Sequence, residues 1–241
     1  MKILAIETTD QAGSVALLDN RRVVGEHRLA PGQRSAQSLA PAIRDLLAAT
    51  GWRPADIRLV AAAIGPGSFT GLRVGLTTAK TFAYAVQCDL VGVPTLEVVA
   101  VQAAGERPGA RGQILAVLDA GRQQVFSARF QPLAAAMQCI EPTAILDDAD
   151  WLAGLWSTAS LPSRSEQIEL LSGPGLRKFA GQLPAEIHLA PAEMWSPGAA
   201  TVGRLALDRH QAGQRDDPWS IVPMYYRLSA AEEKLQRMKI R

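Results

Sequence analysis

The chain has 241 residues, 48% hydrophobic and 20% charged, with a formal net charge of +2; this suits one large domain or two small ones around an ample core. Its basic residues are dispersed, which excludes an electrostatic nucleic-acid footprint. Cys88 and Cys139 match no metal spacing and read as free thiols, and with no signal peptide or membrane-length apolar run the expected location is the cytoplasm.

Strands are predicted over residues 2–8, 13–19 and 22–29, close enough to pair as antiparallel hairpins. Asp19-Asn20 supplies turn residues between the second and third. A helix after Ser38 places Leu39, Ile43, Leu46, Leu47 and Thr50 on one side, with Pro41 in its first turn and Gly51 as its stop. A strand over 57–64 then runs into Gly65-Pro66-Gly67-Ser68. The glycines permit a tight turn, and Ser68 suits the N-cap of a long helix. The start of such a helix can hold an anion. The run is nevertheless neither a P-loop nor a Gly-x-Gly-x-x-Gly fingerprint.

That helix carries two stripes. Leu72, Leu76, Ala79, Ala83 and Val86 form a core-facing one. Gly71, Val74, Gly75, Thr78, Phe82 and Ala85 form a second that is small and uncharged. It packs either on the preceding helix or on another subunit, the glycines allowing close approach. A fifth strand follows over 89–93, and residues 104–112 read as a linker.

The second half echoes the first. Gln113-Ile-Leu-Ala-Val-Leu-Asp119 resembles Lys2-Ile-Leu-Ala-Ile-Glu-Thr8, and Ile168-Glu-Leu-Leu171 leads into Gly173-Pro174-Gly175-Leu176-Arg177-Lys178 much as residues 57–64 lead into Gly65. Two matches in one order predict a duplicated α/β unit. A helix is expected near Asp147–Ser157, with Trp151, Leu152, Leu155 and Trp156 as its apolar side. Another is expected from Ser196-Pro197 to about Gly213, burying Val202, Leu205 and Ala206. Ser229-Ala-Ala-Glu232 is a capping-box pattern for a short last helix.

The chemical inventory is sparse. A mononuclear catalytic metal site needs about three protein ligands, but His27, His188 and His210 form no pair at helical spacing. Ser68 is not set in a Gly-x-Ser-x-Gly elbow. No catalytic residue, metal or cofactor is expected.

The stretches Met1–Leu18, Gly65-Pro-Gly-Ser-Phe-Thr-Gly-Leu-Arg73, Val91-Gly-Val-Pro-Thr-Leu96, Asp119-Ala-Gly-Arg-Gln-Gln-Val-Phe126 and Pro223-Met-Tyr-Tyr-Arg227 stand in this order. Together they resemble the TsaB (YeaZ) family, the dimerisation subunit of the bacterial tRNA threonylcarbamoyladenosine system. The resemblance covers almost the whole chain and is sharpest over residues 1–100. It implies a duplicated actin-like ATPase (ribonuclease H-like) α/β fold of two lobes with mixed sheets, residues 1–106 and 107–241. It implies a non-catalytic subunit that binds TsaD and supports transfer of threonylcarbamoyl from threonylcarbamoyl-AMP to N6 of adenosine 37 in tRNAs reading ANN codons. TsaE docks in the larger complex, tRNA is met through the complex, and the chain alone forms a homodimer away from any membrane. The implied partner surface is Leu39, Ile43, Leu47, Gly71, Val74, Gly75, Thr78, Phe82 and Ala85. In actin-like ATPases acidic residues on the first hairpin of each copy attend the metal and phosphates. Glu7 and Asp119 hold those positions here, with Thr8, Thr9 and Ser14 as donors. The cleft is read as vestigial, the second-copy turn being poor in Ser and Thr. The alternatives are an active actin-like phosphotransferase using Glu7 and Asp119, or a metallopeptidase.

Overall fold

The computed structural model describes residues 1–30, 35–106, 112–133, 136–159, 168–183, 185 and 187–227. Strands β1 (Lys2–Glu7), β2 (Ser14–Asp19) and β3 (Arg22–Arg28) form an antiparallel meander. Helix α1 (Ser35–Thr50) leads to β4 (Leu59–Gly65), which joins the free side of β1 in parallel. Helix α2 (Phe69–Val86) then returns the chain to β5 (Asp89–Pro94), parallel to β4. The sheet order is β3-β2-β1-β4-β5. Helix α3 (Thr95–Gly105) crosses to the second sheet. There β6 (Gln113–Gly121), β7 (Gln124–Pro132), β8 (Met137–Asp147), β9 (Ile168–Ser172) and β10 (His188–Leu189) repeat the order as β8-β7-β6-β9-β10. Again the first three strands are antiparallel and the last two are added in parallel. The repeat seen in the sequence is therefore a repeat of topology, and the fold is the duplicated actin-like one.

Each sheet is covered on both faces, which is why β1, β4 and β6 read as continuous apolar runs. In the first lobe α1 and α2 bury Leu39, Ile43, Leu47, Leu76 and Ala79 on one face. The other face is covered by α5 (Ala199–Gln211), which lays Ala199, Val202, Ala206 and Leu207 on Ile3, Ala5, Ala16 and Leu18. Gly203 lets α5 lie close, since a Cβ there would come 2.5 Å from Leu18. In the second lobe α3 sets Leu96, Val99, Ala100 and Ala103 against β6 and β7. The opposite face carries Trp151 and Leu155 of α4 (Asp148–Ala159) with Leu176 and Phe179. Helix α3 is apolar nearly all round because it lies between the two sheets. The strands of the first sheet come from residues 2–94 and those of the second from residues 113–189, whereas α3 and α5 each pack on the other half's sheet.

Two local expectations change, and the two lobes differ at one turn. Helix α1 begins at Ser35, so Pro41 lies inside it. Its position on the exposed face keeps the ring clear of the core. After β9 the chain makes only a 3-10 turn over Pro174–Phe179, where the first lobe has the long α2. Ser196 does not cap α5, whose N-cap is Gly198. The cap comes from a distance: Ser14 Oγ accepts the Ala199 N–H at 2.9 Å. The linker core 107–111 and the segment 229–232 lie outside the described residues.

Beyond α5 the chain returns along the first lobe. The Asp216 N–H reaches the Leu90 carbonyl, and the Met224 N–H reaches the Ile64 carbonyl at 2.7 Å. Tyr225 then packs on Phe69, Tyr226 packs on Phe126, and Arg227 donates to the Ala120 carbonyl. The Pro223–Arg227 motif is therefore a strap joining both lobes.

Candidate functional site

Two concavities carry the residues singled out above. The first is a cleft of about 490 Å³ between the lobes. The β1–β2 turn supplies Thr8, Thr9 and Asp10, the start of α2 supplies Ser68 and Thr70, and the second lobe supplies Asp119, Arg177 and Lys178. The sequence explains how the first wall is assembled. Thr8 Oγ1 donates to the Gly71 carbonyl at 2.8 Å, and the Ser68 N–H reaches the Thr9 carbonyl at 2.8 Å. A Cβ on Gly71 would fall 1.8 Å from the Thr8 carbonyl oxygen, and one on Gly75 would fall 2.1 Å from Thr8 Oγ1. These glycines seat the turn against α2. Ser68 caps that helix as expected, accepting the Gly71 N–H at 3.2 Å.

Thr8, Thr9 and Asp119 line the cleft, but two other residues assigned to it do not. Ser14 is buried and its hydroxyl accepts the α5 N-terminal N–H. Glu7 is wholly buried; its Oε1 accepts the Thr9 N–H and hydroxyl, while its Oε2 has no partner among the described residues. Burial pushes the Glu7 carboxyl up to about 7, against the two Thr9 hydrogen bonds. Asp119 behaves in the opposite way. Burial raises it, but the Lys178 ammonium at 2.9 Å and the Gly121 N–H together hold it below the usual carboxylate range. Lys178 also meets Asp148 at 2.8 Å. Sequence reading missed Asp10, Arg177 and Lys178. The signal lay in the repeat, where Arg177-Lys178 follows the second copy of the Gly-Pro-Gly turn. Among the described residues no three or more His, Cys, Asp or Glu side chains converge as metal ligands would.

The second concavity is an apolar groove of about 740 Å³ between α1 and α2. Ile43 and Leu47 form its floor and Thr78, Phe82 and Ala85 one wall, with Trp52 closing an end and Arg44 and Arg53 on the rim. Val74 lies half-buried on the same face of α2, and the Thr78 hydroxyl is turned back onto the Val74 carbonyl at 2.8 Å. Leu39 is buried in the first-lobe core and does not line the groove. Gly71 and Gly75 face the Thr8 turn, so they do not provide close approach for a second helix. The stripe is thus divided: its N-terminal glycines serve the lobe, and its C-terminal half is open. Trp52, Ala40 and Ala48 were missed. Small residues eight apart on the exposed side of α1, with a tryptophan just past its stop, were the available signal.

Residues 30–176, more than half of the chain, match the model of the TsaD family, tRNA N6-adenosine threonylcarbamoyltransferase. The tRNA threonylcarbamoyladenosine biosynthesis protein TsaB of Escherichia coli K12 is 29% identical over 242 residues, covering 98% of both chains. TsaB of Bacillus subtilis 168 is 29% identical over 97% of both. The structure of YeaZ from Pseudomonas aeruginosa superposes with a TM-score of 0.76 at 25% identity, over 93% of this chain and 99% of that one. The chain belongs to this TsaD-related family and, within it, to the TsaB (YeaZ) group.

Proposed function

We propose that this chain is a non-catalytic subunit of tRNA threonylcarbamoyladenosine biosynthesis that binds TsaD through the groove between α1 and α2. The observation that carries the reading is that groove: an open apolar surface of about 740 Å³ on the first lobe, with the arginines at its rim. An apolar patch rimmed by polar residues is the form a protein-binding surface takes. The names of two relatives matching over nearly the full chain support the pathway.

TsaD supplies the transfer chemistry, moving threonylcarbamoyl from threonylcarbamoyl-AMP to N6 of adenosine 37 in ANN-reading tRNAs. This chain holds TsaD in its working form, and TsaE docks on the pair. Without TsaD the same groove pairs two copies of this chain. Its place of work is the cytoplasm, where a subunit of tRNA modification meets its partners; no described helix is long and apolar enough to cross a membrane. Glu7, Thr8, Thr9 and Asp119 are then remnants of a nucleotide cleft. Against the phosphotransferase alternative stand Glu7, buried with one oxygen taken by Thr9, and Asp119, already paired with Lys178. The test is reconstitution. The chain alone should not modify tRNA from threonylcarbamoyl-AMP, and adding it to TsaD should raise TsaD-dependent modification. Turnover by the chain alone would refute the reading.

A further inference from the structure

Among the described residues Arg177 and Lys178 line the cleft as cations, and both already have carboxylates of this chain against them. Arg177 Nη1 lies 3.6 Å from Asp10 Oδ2. Ser196 completes a triad, donating from Oγ to Asp10 Oδ2 at 2.6 Å and accepting from Arg177 Nη2 at 2.9 Å. Lys178 is held within the second lobe by Asp119 and Asp148. Each of the two cations is therefore already paired with a carboxylate of the chain.

The triad differs from the Lys178 cluster in what it joins. Asp10 stands on the β1–β2 turn of the first lobe, and Arg177 stands on the 3-10 turn after β9 of the second. Both ends are firmly mounted. The Thr9 carbonyl is fixed by the Ser68 N–H. A Cβ on Gly173 would fall 2.0 Å from the Val117 carbonyl oxygen, so the Arg177 turn is pressed onto β6. Ser196 is held by Gln102 of α3, whose side-chain amide donates to the Met194 and Ser196 carbonyls at 2.8 and 2.9 Å.

We propose that Asp10, Ser196 and Arg177 form a latch that closes the interlobe cleft to phosphate-bearing ligands, the Asp10 carboxylate standing in the place of a ligand anion. The latch accounts for a cleft that keeps its walls and its cations while both cations are already paired. It does not rest on the TsaD reading, because it lies on the cleft and not on the groove.

The experiment is calorimetric titration of the full chain with inorganic tripolyphosphate. The wild type should show no saturable binding in the millimolar range. Asp10→Asn keeps the shape and the Ser196 contact but removes the charge, and should bind about tenfold tighter or more. Asp10→Asn combined with Arg177→Met should lose the gain. Should Asp10→Asn fail to fold, Asp10→Ser removes the same carboxylate from Arg177 while keeping a hydroxyl on the turn, and should show the same gain. Equal binding by wild type and the folded single variant would overturn the latch, as would a gain that survives loss of Arg177.

Discussion

Glu7 gives the most quantitative test of how the first hairpin is built. Its carboxyl sits at about 7 instead of its ordinary 4.5, chiefly because burial disfavours the charged form. A group whose pKa is raised on folding contributes stability that is full below its unfolded value and is lost as pH rises through the folded one. At about 1.4 kcal/mol per decade, the shift implies about 3 kcal/mol lost between pH 4.5 and pH 8. Glu7→Gln removes the titration and keeps the side-chain oxygen that accepts from Thr9. Its amide nitrogen takes the place of an oxygen with no partner among the described residues, so its absolute stability falls by about 1–3 kcal/mol from an unpaired buried donor. The pH dependence is the cleaner quantity. Urea unfolding of both proteins across pH 4.5–8 should show the variant gaining on the wild type by about 3 kcal/mol as pH rises, with half of the rise above pH 6. Parallel curves would show that Glu7 titrates alike in the folded and unfolded chain and would refute the effect of burial on its carboxyl.

Gly71→Ala should cost roughly 1–3 kcal/mol or more in urea unfolding, because the new methyl meets the Thr8 carbonyl; a change near zero would mean that the turn is not seated on α2. Ser14→Ala should cost about 1–3 kcal/mol by leaving the buried Ala199 N–H without its acceptor, and hydrogen exchange should localise the loss to the first turn of α5. Tyr225→Ala, which removes the contacts to Phe69 and Arg73, should raise hydrogen exchange at Met224, whose N–H is bonded to the Ile64 carbonyl, while β1 stays protected; unchanged exchange at Met224 would mean that Tyr225 does not hold the strap.

Much of the architecture was legible because it is written in local signals. Alternating and apolar runs mark β1 to β5, and Gly65-Pro66-Gly67-Ser68 punctuates the passage from β4 to α2. The repeat of Lys2–Thr8 in Gln113–Asp119 carried the duplication, which the matching sheet orders bear out. What was not legible depends on pairs distant in sequence. Ser14 and Ala199 meet only because α5 packs on the first sheet, 185 positions away. Gly71 and Gly75 look like a small-residue seam until Thr8 is placed against them, 63 positions before Gly71. The helix periodicity of residues 69–86 told which side faces the core. It did not say which part of the second stripe the lobe itself covers, because periodicity reports a face and not its neighbour. Arg177 and Lys178 were visible as a basic pair, but their carboxylate partners come from Asp10, Asp119 and Asp148 in three separate segments.

The central claim is that the groove between α1 and α2 receives TsaD, and Thr78→Arg addresses it most directly. Thr78 is half-buried on the groove wall, and among the described residues its hydroxyl bonds to its own helix, so the variant keeps the core intact while setting a charge in the apolar surface. An unpaired charge buried at an interface costs several kcal/mol, on the order of a hundredfold or more in affinity. TsaD binding by the purified variant, with far-ultraviolet circular dichroism and thermal melting as controls for folding, should fall by that factor while the fold stays as in the wild type. A folded Thr78→Arg that binds TsaD as tightly as the wild type would place the interface elsewhere.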